Sequence, residues 1–217
     1  MRNPLQILET IYPERDGKPM AETDVHRWLL SDLVFTLDNH FRDQPEVYVS
    51  GNLLIYYVEG NSKKRVAPDV FVVCGVSKVQ RRIYKLWEEG VMPQFVIELT
   101  SRQTWREDLQ EKWRLYEQLG VQEYFIFDPE YDYLDDPLVG YRLENGQYAS
   151  LEAQEQRLRS EVLGLELVDT GETLRLFDPR AGRFLPDAKE AAAAQQRVIE
   201  LEEELARYRK QFGELPL

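Results

Sequence analysis

Two acidic residues stand where chemistry could follow. Asp69 comes directly after a proline, and Glu98 is set inside the most apolar run of the chain, between Phe95-Val96-Ile97 and Leu99. A carboxylate in such a run is costly to bury unless it is paired or bound to a cation. On adjacent strands the two would make a hard oxygen site. Such a site suits Mg²⁺, which takes one or two carboxylates, a backbone carbonyl and several waters that a phosphate can replace. A metal held there polarises a phosphodiester and activates water. A nearby lysine, Lys112, orients that water or offsets charge in the transition state. Each residue also has a plainer reading. Asp69 after Pro68 can cap a turn, and Lys112 follows Asp108 at the ordinary spacing of a helix ion pair. Glu98 is the hardest to explain structurally, because glutamate is almost never fully buried unless paired.

The elements that must position these residues form an alternating pattern. Residues 1–21 read as an irregular lead-in, punctuated by Pro4, Pro13, Gly17 and Pro19. A helix opens at residues 22–24, with Thr23 or Asp24 as cap, and Val25, Leu29, Leu33, Leu37 and Phe41 along its buried face. Residues 47–58 read as one strand with a bulge at Gly51, 66–74 as a second, and 93–100 as a third, central one. A helix over 104–119 follows, lined by Trp105, Leu109, Trp113 and Tyr116 and ended by Gly120. Residues 124–128 form the next strand, so this strand–helix–strand unit has the length of a parallel crossover. Short strands over 138–143, 147–151, 163–168 and 173–177 suggest a small antiparallel extension on an α/β core.

The organisation is a core over residues 1–185 and a C-terminal amphipathic helix over 186–217. In that tail Val198, Leu201, Leu205, Tyr208, Phe212 and Leu215 step by three and four, the a/d seam of a short coiled coil. The plainer reading is a single helix docked on the core.

Composition excludes several classes. The 217 residues, 43% hydrophobic and 12% aromatic, are too rich for a disordered chain and sufficient for a core without crosslinks. A single cysteine excludes an internal disulfide framework and points to a reducing, cytoplasmic setting. Cys74 ends an apolar strand with no histidine near it in sequence, and reads as a small packed residue. The apolar run 53–58 is far shorter than the roughly 20 residues that span a bilayer, so no membrane is expected. The glycines are dispersed, which removes nucleotide-binding fingerprints, and His26 and His40 lie too far apart on one helix to share a metal. The net charge of −12 argues against bulk attraction to nucleic acid. The tail contributes only 7 acids against 5 bases, so most of that charge belongs to the core. Basic residues are grouped at Lys63, Lys64, Arg65 and at Lys78, Arg81, Arg82, Lys85, where they either meet phosphates or form a solvated loop.

Taken in order, Pro68-Asp69-Val70, then residues 95–101 (FVIELTS), then Asp108 with Lys112 and Tyr116, then residues 123–129 (EYFIFDP) resemble the Uma-two family of the PD-(D/E)XK restriction-endonuclease-like superfamily. The resemblance spans roughly residues 15–185, and an Ala-rich helical tail is also similar to that of many members. It implies an α/β fold, a restriction-endonuclease-like mixed sheet flanked by helices. It implies cleavage of DNA phosphodiesters with Mg²⁺ or Mn²⁺. Asp69 and Glu98 would be metal ligands and the Leu99 carbonyl a third. Thr100 stands where the superfamily expects lysine, and Lys112 on the next helix would replace it. Glu22 would supply a further acidic residue, with His26 lining the same cleft and Ser101 and Gln103 supporting the strand end. The competing reading is a catalytically weak or silent module that oligomerises or binds a partner through its C-terminal helix. Ending the chain at about residue 186 separates the two. Nicking of plasmid survives if the core is a nuclease, and association measured by light scattering is lost if the tail is the working part.

Overall fold

The computed structural model describes residues 10–15 and 23–213. Most of the sequence lead-in, and Glu22 with it, lies outside those residues. Helix α1 spans Asp24–His40, and the Thr23 side chain caps it by accepting from the His26 N–H. Leu29, Leu33, Leu37 and Phe41 are buried as the spacing predicts, but Val25 is 50% exposed and His26 takes the inward place.

Thirteen strands follow in chain order among the described residues. They are β1 (Val47–Ser50), β2 (Ile55–Tyr56), β3 (Arg65–Val66), β4 (Val70–Cys74), β5 (Tyr84–Lys85), β6 (Phe95–Leu99), β7 (Glu123–Phe127), β8 (Leu138–Glu144), β9 (Gln147–Ser150), β10 (Arg157–Ser160), β11 (Leu165–Asp169), β12 (Leu174–Asp178) and β13 (Arg183–Phe184). The main sheet has the order β1-β4-β6-β7-β8-β9. Only β6 and β7 run parallel in it, and the other neighbours are antiparallel. The fold is therefore a mixed α/β sheet flanked by helices, with β6 at its centre as its unbroken apolar run predicts.

Both faces of β6 are buried, and side-chain parity assigns them. Phe95, Ile97 and Leu99 join α1 and the leucines of β10, β11 and β12 in one cluster. Val96 joins Phe71, Val73, Tyr116, Tyr124 and Ile126 in the other. Glu98 has the parity of Val96, so it points toward the second face.

The structure revises three stretches. Residues 47–58 are two strands in different sheets, because the chain leaves β1 at Gly51 and crosses the backbone of Asp69. A Cβ on Gly51 would lie 2.3 Å from the Asp69 carbonyl oxygen, a distance only glycine permits. Residues 66–74 are likewise split at Ala67-Pro68-Asp69, with β3 joining β2 and β5 in a small separate sheet. Of the expected antiparallel extension, β8 and β9 instead widen the main sheet. Strands β11 and β12 form a four-stranded sheet with β10 and β13, whose Leu158, Leu165, Leu167, Leu174 and Leu176 are core residues.

The helix expected over 104–119 comes in three parts. These are α3 (Trp105–Glu107), a widened π-helical turn (Asp108–Lys112) and α4 (Trp113–Leu119), ended by left-handed Gly120 at φ 78°; the short helix α2 (Leu86–Glu89) precedes β6. Helix α5 (Ala188–Phe212) is held at its start. Asp187 and Glu190 form a capping box, the Ala188 N–H donates to Asp32 at 2.7 Å, and Arg175 pairs with Glu190 at 2.7 Å. No helix among the described residues is long and apolar enough to cross a membrane.

Gly51→Ala should destabilise the chain by about 1–3 kcal/mol, the usual cost of overpacking. Urea denaturation measures the loss, and an unchanged midpoint would mean that the crossing at Asp69 relaxes freely.

Candidate active site

Strand register brings the two sequence-distant carboxylates together. β4 and β6 pair antiparallel with Val70 opposite Ile97, so Asp69, one step before β4, comes opposite Glu98. The backbone seals this placement. The Asp69 N–H donates to Glu98 Oε2 at 3.3 Å, and the Leu99 N–H donates to Asp69 Oδ2 at 2.8 Å. Asp69 thus accepts across the strand pair, which sets aside the turn-capping alternative.

Glu98 is wholly buried, and every contact around it answers that burial. Tyr116 donates its hydroxyl to Oε1 at 2.7 Å, and the Lys112 ammonium lies 2.9 Å from Oε2. Lys112 also reaches Asp108 Oδ1 at 2.9 Å, and its side chain is only 16% exposed. Asp108 is buried at 1% and takes a second bond from the Thr100 hydroxyl at 2.9 Å. Tyr124 donates to the Asp108 carbonyl at 2.9 Å. The spacing of Asp108 and Lys112 matches a surface ion pair, but the pair is turned inward. The π-helical turn carries both residues, and such turns are frequent at functional sites.

His26 completes the group from α1. Its Nε2 is 2.8 Å from the Leu99 carbonyl oxygen and 3.4 Å from Asp69 Oδ2. His26, which the sequence groups with the acidic residues, packs beside Asp69 and the Leu99 carbonyl. Ser101 and Gln103 lie off to one side: Ser101 shares hydrogen bonds with Thr104, and Gln103 is exposed. The sequence reads Asp108 as the ion-pair partner of Lys112 and Tyr116 as a packing residue; the bonds of Thr100 to Asp108 and of Tyr116 to Glu98 it does not give. Asp108, Lys112 and Tyr116 recur every four residues, a signal that one stripe of this helix faces one place.

Electrostatics mark the cluster as short of positive charge. Three carboxylates, Asp69, Glu98 and Asp108, surround one ammonium. Burial pushes Glu98 up to about 8; Lys112 opposes the rise, and Asp69 and Asp108 add to it. Burial would also raise Asp69, but the His26 hydrogen bond, the Lys112 charge and the Leu99 N–H hold it below its ordinary value. Burial would lower Lys112, yet the surrounding carboxylates raise it, so the ammonium persists. Burial and Glu98 keep the Tyr116 hydroxyl protonated as a donor.

The residues fit a hard dication in kind. Asp69, Glu98 and the Leu99 carbonyl are oxygen donors, and Glu98 would release its proton on binding a cation. Among the described residues no three His, Cys, Asp or Glu side chains are grouped to hold a metal by themselves, and Glu22 lies outside those residues. The contacts a cation would take from Glu98 and Leu99 are made here by Lys112 and His26.

The basic segments are largely neutralised within the chain. Arg81 is paired with Glu89 at 2.6 Å and 7% exposed, Arg82 with Glu14, Lys85 with Glu88, and Lys78 with Asp38. Lys63 and Lys64 remain exposed. Cys74 is half-buried, and burial raises its thiol, as a packing residue requires.

The chain is a mixed α/β protein with a buried acidic pair on neighbouring strands and a lysine delivered by the next helix. More particularly, it belongs to the Uma2 family, described as "Putative restriction endonuclease", whose model matches residues 10–171. No curated protein matches the chain. Among solved structures it is similar to one from Anabaena variabilis ATCC 29413, described as "a putative nuclease belonging to DUF820". That likeness has 15% identity and a TM-score of 0.49, covering 69% of this chain and 81% of the other.

Stability of the metal-free protein should fall as pH rises. Below about 4.5 Glu98 is protonated folded or unfolded; between there and about 8 only the folded chain keeps the proton, so folding loses ground across that window. Urea midpoints at its two ends measure the drop, and Glu98→Gln should flatten it. Asp69, held low, adds a separate loss on acidification below 3.8.

Proposed function

We propose that the chain is a Mg²⁺- or Mn²⁺-dependent endonuclease that hydrolyses DNA phosphodiesters. The observation that carries this reading is the Asp69–Glu98 pair on adjacent strands with Lys112 2.9 Å from Glu98. Asp69, Glu98 and the Leu99 carbonyl would hold the metal, and Glu22 is a further acidic candidate from the segment before α1. Bound there, the ion supplies Lewis-acid polarisation of the phosphate and activates water.

The chain's own residues do the rest. Tyr116 fixes the rotamer of Glu98 from behind, and Asp108 with Thr100 fixes the Lys112 stem and head. The Lys112 ammonium, 2.9 Å from Glu98, would offset charge that grows on a phosphate bound beside that carboxylate. His26, beside Asp69 and the Leu99 carbonyl, steers those oxygens. With Lys78, Arg81, Arg82 and Lys85 already paired, affinity for DNA in the absence of metal is weak and sensitive to salt.

A second reading, a silent module that works through α5, is favoured by one observation: both Glu98 oxygens are already engaged by Tyr116, Lys112 and Asp69.

Nicking of supercoiled plasmid distinguishes them. Wild type nicks with Mn²⁺ or Mg²⁺, and Glu98→Ala abolishes nicking while circular dichroism stays native. Lys112→Ala slows it by about 100-fold or more, the scale of losing one preorganised charge. Wild-type protein inert toward duplex and single-stranded DNA with either metal overturns the nuclease reading.

A further inference from the structure

Helix α5 is 25 residues long, about 37 Å at the usual rise. The contacts that tie it to the core gather at its start, at Ala188 and Glu190. Beyond them its apolar seam faces outward. Val198 is 47% exposed, Leu201 47%, Leu205 40% and Tyr208 58%. Val198, Leu201 and Leu205 are thus open to solvent although they share one side of the helix. They and Tyr208 occupy alternating a and d positions, with Ala191 and Ala194 continuing the pattern toward the helix start. Val at a and Leu at d, as in the Val198–Leu201 layer, favour two strands.

The flanking charges choose the occupant. In this heptad Arg197 and Glu204 are at g, and Glu202 and Arg209 are at e. In a parallel, in-register pair each g residue faces the e residue of the next heptad on the other copy. Arg197 then meets Glu202, and Glu204 meets Arg209, once from each chain, with every pair opposite in sign. Antiparallel seating does worse. With Leu201 against Leu205, Glu202 and Glu204 each face their own counterparts; shifted so that Leu205 meets Tyr208, Glu202 meets Arg209 but Arg197 is left without an acid. Among the described residues Arg197 pairs with Glu200, at 3.2 Å and with both side chains more than half exposed. Such a contact is worth little and yields readily.

We infer that the exposed seam of α5 is a self-association surface that pairs two copies of this chain as a parallel, in-register two-stranded coiled coil. The pairing places both cores at the same end of the coil, since both helices leave their cores at Asp187. It is independent of the nuclease reading, and its tests involve no cleavage.

Sedimentation of the full chain should show a reversible dimer that Leu201→Asp with Leu205→Asp weakens at least about tenfold, because buried apolar layers then carry charge. Arg197→Glu alone should weaken it about threefold or more, and adding Glu202→Arg should restore it. In a Cys74→Ala background, Val198→Cys should oxidise to a covalent dimer on a non-reducing gel. In the shifted antiparallel seating those sulfurs would lie about 25 Å apart along the coil. A monomer at every concentration overturns the proposal. So does a dimer that survives the double aspartate variant, or one that the Val198→Cys substitution fails to crosslink.

Discussion

Glu98 sits on the central strand of the main sheet with no exposure to water, and much of the molecule is arranged around that fact. A carboxylate there is tolerable only if neighbours supply what water would have supplied. Tyr116, Lys112 and the Asp69 N–H do so from a helix, a π-helical turn and an adjacent strand. Each of these partners is itself secured, Lys112 by Asp108 and Asp108 by Thr100. The chain of dependence runs from the residue before β4 through the end of β6 to the helical segment that follows it. Replacing the carboxylate by an apolar side chain would be the simpler way to build a core, and three acids around one ammonium are the observation on which the proposed metal site rests.

The irregularities of the fold serve the same place. β1 ends where Gly51 passes against the Asp69 carbonyl, and the split before β4 frees Asp69 from regular pairing just opposite Glu98. The widened turn at Asp108–Lys112 puts two charged side chains on the inner face of a helix that otherwise packs Tyr116 against the sheet. Strands β10 to β12 and α1 cover the opposite face, so the central strand is rigid on both sides. A site built this way is positioned by the sheet, with His26 as the contribution of α1.

Charge has two separate uses in the molecule. The −12 total is not a uniform field that forbids nucleic acid, because acids and bases are matched locally. Arg81 with Glu89 and Arg142 with Glu123 are structural pairs, partly or wholly sheltered from solvent. Along α5 Arg197, Glu202, Glu204 and Arg209 are exposed, Arg197 in contact with Glu200.

Sequence periodicity alone determined α1 through its leucine spacing, the central place of β6 through its unbroken apolar run, and the β6–α–β7 crossover through its length. It also singled out Glu98, because a glutamate inside FVIEL violates the local pattern whatever the fold. Asp69 and Lys112 were legible only as an ordered set with Glu98. Tertiary structure decided what periodicity does not encode. The β4–β6 register set Asp69 against Glu98, a long-range pairing invisible to any local window. The π-helical turn made Asp108–Lys112 an inner pair, although the same spacing on a regular exposed helix reads as a surface bridge. The crossing at Gly51 divided one apparent strand between two sheets, since apolar alternation says where a side chain is buried but not which sheet its backbone joins. The internal pairing of Arg81, Arg82, Lys85 and Lys78 was hidden for the same reason: charge in sequence has no partner until the chain folds.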